Sequence, residues 1–278
     1  MSTVFMNTYE EGKKYLEQIG VDIGKITKDV GDYIFSVLDY SNSDLNDIKL
    51  FAAPQTPPET ILSVLGLDIN YFEGKKVLDL GGGFGGMPFL LEDMVNQYIV
   101  CDPSFMENIK ENALNKNIIA QEFFVAGDQE KLSLINKELV DFDFDERNGM
   151  YKYNELLDRS NNLSAILDKK QKILDYIDMW KNFNQEKHPK IIINPSKGEN
   201  IKGVENTSQD IVLICHILDK SYVNYLGIIA EASRILKSDG EILIVEDADD
   251  DIRKILKKLG VEREEKGHKV ICKIKKIQ

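Results

Sequence analysis

The chain has 278 residues and a formal net charge of −12 at pH 7, and 42% of its residues are hydrophobic. That length and apolar content allow one large domain, or one domain carrying an insertion, with a proper core. The acidic balance excludes a general nucleic-acid binder, which needs a basic face to neutralise phosphates, although it leaves room for one local basic patch. No segment approaches the roughly 18 apolar residues of a membrane span, so we expect a soluble, untargeted, cytoplasmic protein without membrane contact.

The three cysteines, Cys101, Cys215 and Cys272, all lie inside apolar runs. Their number is odd and their spacing does not match that of metal ligands. We therefore expect reduced, buried thiols and no metal site, as is usual in a cytoplasmic protein.

Residues 1–70 are predicted to form an N-terminal helical cap. Apolar side chains recur at helical spacing from Ile26 to Leu38, and the proline-rich stretch Ala53–Pro58 predicts a turn. Glu59–Leu67 then predicts one more helix that leads to the first strand. Whether this segment covers a substrate pocket or only packs against the edge of a sheet stays open.

The glycine-rich stretch Lys75–Gly86 is the centre of the sequence pattern. Its letters, KKVLDLGGGFGG, join a short apolar run to five glycines within six positions. An apolar run that stops in glycines predicts a buried strand entering a tight turn. The following segment, Met87–Met94, can begin a helix with a proline in its first turn. A strand, a glycine turn and a helix N-terminus together make a nucleotide-binding corner.

This corner has two interpretations. Gly81, Gly83 and Gly86 satisfy the dinucleotide fingerprint G-x-G-x-x-G. Asp79, two residues before the first glycine, favours another ligand, because a carboxylate there repels a phosphate and attracts a cation. The stretch resembles motif I of the class I S-adenosylmethionine-dependent methyltransferases, which implies S-adenosylmethionine, a cationic cofactor without phosphate. The matching positions are Val77, Leu78, Asp79, Leu80, Gly81, Gly83 and Gly85.

A second acidic residue, Asp102, follows a predicted strand at Tyr98–Cys101, about 20 residues after the glycine turn. In a Rossmann-like sheet this position holds the acid that binds the ribose hydroxyls. A carboxylate suits that role because its two oxygens can accept two hydrogen bonds. The alternative is that Asp102 only caps a helix that starts near Ser104.

Two segments compete for the third strand. Gln121–Ala126, QEFFVA, is strand-like and precedes a Gly-Asp-x-x-x-Leu stretch. That stretch resembles the adenine-contacting segment of the family, which implies that Asp128 accepts from the exocyclic amine. Lys190–Asn194, KIIIN, is richer in β-branched residues. If it is the third strand, the adenine partner lies near Asn194 or Ser196 and Asp128 belongs to an insertion; we favour Asp128.

Residues 135–189 exceed the usual length of the family and are predicted to form a helical insertion, either a lid or an oligomer arm, so that a homodimer is possible. Apolar residues recur at helical spacing from Leu163 to Trp180. We expect Trp180 in the core rather than in a substrate pocket. The acidic residues between 141 and 146 predict a solvated loop, because they lack the ligand order of a calcium loop.

The clearest buried strand of the second half is Asp210–Leu218, DIVLICHIL, with His216 near its carboxyl end. The carboxyl ends of parallel strands line the ligand crevice of an open α/β sheet. The segment resembles motif IV, and many small-molecule methyltransferases of the ubiquinone and menaquinone type carry a histidine near this place. Methyl transfer to oxygen or nitrogen releases a proton, and imidazole is a suitable base near pH 7, so His216 is the predicted catalytic residue. The alternative is a structural histidine, and His188 and His268 are expected at the surface.

The C-terminal part completes the pattern. The segment Glu231–Gly240 resembles the family's E-A-x-R-x-L-K-P-G-G motif, with Ser238-Asp239 in place of Pro-Gly. A helix is predicted over residues 222–237, with a glycine stop at Gly240. A strand over 241–246, a helix over 249–259 and a last strand over 269–274 follow.

These motifs together predict an α/β fold, a Rossmann-like class I methyltransferase sheet built from residues 71–134 and 190–278. The resemblance implies methyl transfer from S-adenosylmethionine to an oxygen, nitrogen or carbon of a small-molecule acceptor by in-line displacement. The alternatives are a protein or RNA methyltransferase, a protein of the same fold that does not methylate, and a nicotinamide-dinucleotide-binding protein.

Overall fold

The computed structural model describes residues 56–107, 110–142, 149–218, 224–248, 250–259 and 262–275. Within these residues, Thr56–Ala113 and Met179–Gln278 contribute to one compact unit, and Leu114–Asp178 contribute to another. The predicted N-terminal cap lies outside the described residues up to position 55. None of the described helices is both long and apolar enough to cross a membrane.

The first unit is built on a seven-stranded sheet, counted over the described residues, and this confirms the predicted Rossmann-like α/β class. The strands are β1 Lys76–Leu80, β2 Gln97–Cys101, β3 Ile191–Asn194, β4 Gln209–Cys215, β5 Leu236–Asp247, β6 Glu264–Lys266 and β7 Lys269–Lys275. Their order in the sheet is β3-β2-β1-β4-β5-β7-β6. The first five strands in that order pair in parallel, whereas β7 runs antiparallel to β5 and β6 antiparallel to β7.

Six α-helices occur in the described part of the chain, together with short 3-10 turns at Ile69–Phe72 and Pro103–Phe105. Local chemistry explains the ends of two of them, α1 (Pro58–Leu65) and α5 (Tyr225–Ile235). A proline opens α1, and Gly66 closes it in the left-handed conformation with φ of 65°. The Asn224 side chain caps α5 by accepting from the Gly227 N–H at 3.1 Å. The helices are α1 Pro58–Leu65, α2 Met87–Leu91, α3 Lys110–Val140, α4 Gly149–Lys181, α5 Tyr225–Ile235 and α6 Asp250–Leu259.

The core lies on both faces of the central strands. In β1 and β4 nearly every apolar side chain is fully buried, as expected for parallel strands that are covered on both sides. Helices α5 and α6 contribute Ile228, Ala232, Ile252 and Leu256 to the same apolar cluster. Burial on both faces holds the carboxyl ends of β1 and β4 in place, where the candidate site lies.

The structure corrects the third strand. Ile191–Asn194 pairs with β2, with Tyr98 opposite Ile191, so the segment that we ranked second is the strand. Gln121–Ala126 lies inside helix α3 instead. A short apolar run cannot be assigned by periodicity alone, and the surrounding sequence is rich in lysine, glutamate, alanine and leucine, which favour helix. The helical segment accordingly starts at Lys110 and not at residue 135, and it ends at Lys181.

The junction of α5 and β5 also differs from the expectation. Helix α5 ends at Ile235 and strand β5 begins at the next residue, so Gly240 lies in the strand and does not stop the helix. A β-carbon on Gly240 would stand 2.8 Å from the carbonyl oxygen of Asp210, so the glycine allows a close backbone approach there. The pairing register of β4 and β5 shifts at this point.

Candidate functional site

The glycine turn follows β1 directly, as predicted. Gly81 and Gly83 have φ angles of 74° and 47°, a region that side-chain-bearing residues rarely adopt. A β-carbon on Gly81 would collide with the side chain of Ile217, which follows strand β4. The turn therefore requires glycine at Gly81, because the side chain of Ile217, which follows β4, packs against it.

Asp79 lies beneath this turn and is 5% exposed. Its Oδ2 accepts a hydrogen bond from the Tyr98 hydroxyl at 2.9 Å. Burial, helped by the negative charge of Asp102, raises the pKa of Asp79 to about 7, although the Tyr98 hydrogen bond acts in the opposite direction. A β-carbon on Gly82 would stand 2.5 Å from Oδ2 of Asp79, so the carboxyl group lies directly against the backbone of the turn and leaves no room for a side chain there.

Asp102 follows β2 and is 8% exposed. Its Oδ2 accepts from the Gly83 N–H at 3.1 Å, and its Oδ1 accepts from the Ser104 N–H at 2.7 Å and from the Ser104 hydroxyl. Burial raises the pKa of Asp102, while the hydrogen bonds from Ser104 and Gly83 counteract the rise. The cap contact that we considered as the alternative is thus present, and Oδ2 retains one acceptor position beside the glycine turn.

The end of β3 lies next to Asp102. The Asp102 N–H donates to the Asn194 carbonyl oxygen at 3.0 Å, and the Ser196 N–H donates to Oδ1 of Asn194 at 3.0 Å. The Cys101 thiol donates to the Ser196 carbonyl oxygen at 3.3 Å. Residues 194–196 therefore occupy the place that the alternative third strand assigned to the adenine partner.

Asp128 is not at the end of a strand. It lies in helix α3, where its Oδ2 is 2.6 Å from Nζ of Lys170 and its Oδ1 is 3.3 Å from Nζ of Lys131. Asp128 and both lysines belong to the helical unit. The structural premise of its adenine role, a strand over 121–126, is wrong.

Trp180 lies in the last turn of α4 and is 1% exposed, which confirms its place in the core. Its ring centroid lies 4.8 Å from that of Phe89 and 4.9 Å from that of Phe105. Its indole Nε1 donates to the Gly85 carbonyl oxygen at 2.8 Å. The sequence pattern did not reveal this link, because the two residues lie 95 positions apart.

His216 follows β4 by one residue and has a φ of 58°. Leu80 pairs with Ile214, so His216 lies at the same edge of the sheet as the glycine turn. Its N–H donates to the Val245 carbonyl oxygen at 2.9 Å, and its Nδ1 is 3.5 Å from Oδ2 of Asp247. Its Nε2 is buried and has no hydrogen-bond partner among the described residues.

Two acidic residues at the end of β5 support His216, and the sequence reasoning missed both. Glu246 is fully buried, and its Oε1 accepts from the N–H groups of Ile217 and Leu218, each at 2.9 Å. Asp247 contacts Lys269 at 2.5 Å, and the interactions with His216 and Lys269 hold its pKa well below the usual range. The available signal was a pair of acids ending an otherwise apolar strand, EILIVED.

The other two histidines differ in their exposure and contacts. His268 is exposed, as expected. His188 is not a simple surface residue, because its Nδ1 is 2.7 Å from Oε2 of Glu92 and its ring stacks on Phe183 with centroids 5.5 Å apart.

Three polar residues that follow β4, namely Asp219, Lys220 and Tyr222, lie outside the described residues.

No protein-family model matches this chain, and no curated protein matches it. Solved structures of similar chain path include an S-adenosylmethionine-dependent methyltransferase from Aquifex aeolicus, at 14% identity and a TM-score of 0.42, covering 89% of this chain and 100% of that one. They also include the YcgJ protein of Bacillus subtilis (15%, TM-score 0.35, 71% of this chain and 57% of that one). An rRNA methylase from Streptococcus thermophilus is similar at 10% identity and a TM-score of 0.40, and the match covers 76% of this chain and 92% of that one. These values are too low to assign an activity to this chain.

Proposed function

We propose that the protein is an S-adenosylmethionine-dependent methyltransferase whose acceptor is a small molecule. The single observation that carries the proposal is the pair of buried carboxyl groups, Asp79 and Asp102, next to the glycine turn. Asp79 lies beneath the turn, and Asp102 binds its Gly83 N–H. This arrangement favours a ligand that combines positive charge with a ribose.

Asp79 argues against a nicotinamide dinucleotide, whereas Asp102 suits the ribose of either cofactor. A pyrophosphate at the turn would lie beside the buried carboxyl group of Asp79, and the repulsion between like charges is strong where little water screens it. A sulfonium and an ammonium group carry positive charge, so the same negative charge attracts them and favours their binding. The Tyr98–Asp79 hydrogen bond adds to this preference, because it stabilises the ionised carboxylate.

The residues at the turn fit the proposed cofactor. The bare backbone at Gly81, Gly82 and Gly83 leaves room for close approach, and the remaining acceptor position on Oδ2 of Asp102 suits a ribose hydroxyl. We assign the adenine contact to residues 194–196, beside Asp102, and no longer to Asp128. When bound, the cofactor supplies an electrophilic methyl group on sulfur.

The chain's own residues would then align the acceptor and take its proton. Alignment of two reactants can supply about 7 kcal/mol or more of the barrier, so precise positioning is the main task. His216 lies at the same edge of the sheet as the turn and is our proposed base. The net charge of −12 favours a small-molecule acceptor over RNA, and the buried thiols of Cys101 and Cys272 fit a reducing compartment such as the cytoplasm.

The acceptor class is tested with S-adenosylmethionine that carries a radiolabelled methyl group. The full chain is incubated in parallel with a small-molecule extract, with total protein and with total RNA from the cells that make it. We expect label in the small-molecule fraction, and less label with His216→Ala. Label that enters only RNA or protein would overturn the acceptor class while leaving the methyltransferase proposal intact.

A further inference from the structure

We propose that Asp247 is a positioning residue that holds His216 with its proton on Nδ1, so that Nε2 is the atom that accepts a proton from the methyl acceptor. The inference rests on the proposed function and deepens it by naming the acceptor chemistry, a hydroxyl or an amine that bears a transferable proton.

The backbone of His216 is fixed from both sides. Its own N–H bonds to Val245 of the neighbouring strand at 2.9 Å. The next two N–H groups, of Ile217 and Leu218, both bond to Oε1 of Glu246 at 2.9 Å. With the main chain held at three successive amides, rotation of the side chain is the main freedom left to His216.

The side chain is then oriented by Asp247. Cys215 pairs with Val245, so the residues after β4 run beside the last residues of β5 and bring Nδ1 of His216 to 3.5 Å from Oδ2 of Asp247. The other oxygen of Asp247, Oδ1, lies 2.5 Å from Nζ of Lys269, its pairing partner on β7. The contacts with His216 and Lys269 together keep Asp247 ionised, and Lys269 holds Oδ1 while Oδ2 faces His216.

An ionised carboxylate can only accept hydrogen bonds. A neutral imidazole that faces it at Nδ1 must therefore carry its proton there, which leaves the lone pair on Nε2. That nitrogen is buried and has no hydrogen-bond partner among the described residues. A buried polar atom without a partner costs free energy, so its presence calls for a ligand that pairs with it.

The backbone of His216 supports a functional role for the side chain. A φ of 58° is in the left-handed region, where a residue other than glycine is uncommon and costs about 1 kcal/mol or more. Glycine would relieve that strain, yet the chain places a histidine there. Strained residues of this kind cluster at active sites.

The proton balance defines the acceptor. As the acceptor's lone pair forms the new bond to the methyl carbon, the proton of its O–H or N–H group passes to Nε2 of His216. The electron pair of the broken carbon–sulfur bond stays on sulfur. The resulting imidazolium is stabilised by the negative charge of Asp247, whose Oδ2 lies 3.5 Å from Nδ1. An acceptor without an acidic hydrogen gains nothing from this arrangement.

The experiment measures the tautomer of His216 by NMR in the full chain labelled with ¹⁵N-histidine. Spectra that correlate ring protons with ring nitrogens are recorded about two pH units above the ordinary imidazole pKa of about 6.5. The chain has 3 histidines, so His188→Gln and His268→Gln assign the signals. We expect the proton of His216 on Nδ1 in the parent and a shift of most of it to Nε2 in Asp247→Ala. A parent ring with its proton on Nε2 would overturn the proposal, and so would a tautomer that Asp247→Ala leaves unchanged.

Two further variants separate positioning from general damage. Asp251→Ala removes an exposed acid that pairs with Lys254, and we expect no change at His216. Lys269→Met keeps the carboxylate and should keep the proton on Nδ1, with broader signals. A shift of the His216 proton in Asp251→Ala would mean that loss of another acid suffices, and would also overturn the specific role of Asp247.

The result is separable from the proposed function. Asp247→Ala should bind S-adenosylmethionine within about twofold of the parent, because the contacts of Asp247 in the described part of the chain are with His216 and Lys269. A parent that binds no S-adenosylmethionine refutes the proposed function whatever the tautomer is. With a hydroxyl or amine acceptor, we expect Asp247→Ala to lower kcat about 10- to 1000-fold at unchanged KM, a part of what a general base supplies. Unchanged kcat would contradict the inference.

Discussion

The indole Nε1 of Trp180 donates a hydrogen bond of 2.8 Å to the carbonyl oxygen of Gly85. The Gly85 N–H in turn donates to the Gly82 carbonyl oxygen at 3.0 Å, so this bond ties the last turn of α4 to the glycine turn itself. Both partners belong to the unit that contains the sheet. The shape of the turn therefore depends on a side chain about a hundred residues away in sequence.

Replacing Trp180 by phenylalanine should loosen the turn without emptying the core. The ring remains, but the half-buried Gly85 carbonyl oxygen loses its donor, and the loss of one such hydrogen bond costs about 0.5–1.5 kcal/mol. We expect that loss in the free energy of unfolding, measured with urea, and weaker binding of S-adenosylmethionine. Trp180→Ala should cost about 3–5 kcal/mol, because it also leaves a cavity. If Trp180→Phe matched the parent in both measurements, the bond would have no role in the turn.

Asp79→Asn should change how stability depends on pH. In the folded protein the pKa of Asp79 is raised from 3.8 to about 7, so the folded state binds more protons than the unfolded state between these values. The free energy of unfolding therefore falls as the pH rises through that window, by as much as about 4 kcal/mol from this group. Asparagine cannot ionise, so the variant should gain stability relative to the parent on going from pH 4 to pH 8.

The same variant tests the cofactor assignment. Asparagine keeps the shape of the side chain but removes the negative charge, so S-adenosylmethionine should bind at least about tenfold more weakly at pH 8, where the parent carboxylate is ionised. Urea denaturation at both pH values and calorimetric titration give the two results. Parallel stability profiles of variant and parent would show that Asp79 does not titrate as described.

Ser104→Ala and Asp102→Ala separate the cap from the ribose contact. Ser104→Ala removes one donor from Oδ1 of Asp102 and leaves the Gly83 contact, so cofactor affinity should stay within about threefold. Asp102→Ala should lower that affinity by at least about tenfold, because it also removes the acceptor for the ribose hydroxyl. Asp239→Ala, an exposed acid of the same sheet, serves as the control. Equal losses of cofactor affinity in the Asp102 and Ser104 variants would mean that Asp102 only caps the turn and does not bind the ribose.

Gly81→Ala should lower the free energy of unfolding for two reasons, a steric collision and an unfavourable φ, and a second substitution can separate them. The new β-carbon meets the Ile217 side chain, and a φ of 74° is unfavourable for alanine. We expect a loss of about 1–3 kcal/mol in the free energy of unfolding. Adding Ile217→Ala should restore the part due to the collision and leave the part due to φ, which a double-mutant cycle measures. A fully additive cycle would mean that the collision is absent.

The sequence was most informative where the pattern is local. Three features could be recognised from a few neighbouring residues, and all three lie where predicted. They are the glycines after β1, Asp79 within that strand and the apolar run of β4. Parallel strands buried on both faces give continuous apolar runs that are easy to recognise. The same locality placed Asp102 directly after β2.

The pattern failed where the deciding contact is distant. Gln121–Ala126 looks like a strand by itself, but it continues a helix of 31 residues. Asp128 was misplaced with it. His216 contacts Asp247 on β5, and Asp247 in turn contacts Lys269 on β7, so only the sheet register brings the three residues together. No spacing rule within the sequence reports such a pairing.

The central claim is that the glycine turn binds S-adenosylmethionine, and calorimetric titration of the full chain tests it most directly. The protein is titrated with S-adenosylmethionine and, separately, with NADH and NADPH, and each titration is repeated with Asp102→Ala. We predict saturable binding of S-adenosylmethionine alone, at least about tenfold weaker in the variant. Saturable binding of a nicotinamide dinucleotide in place of S-adenosylmethionine would contradict the account and would favour the G-x-G-x-x-G interpretation of the turn.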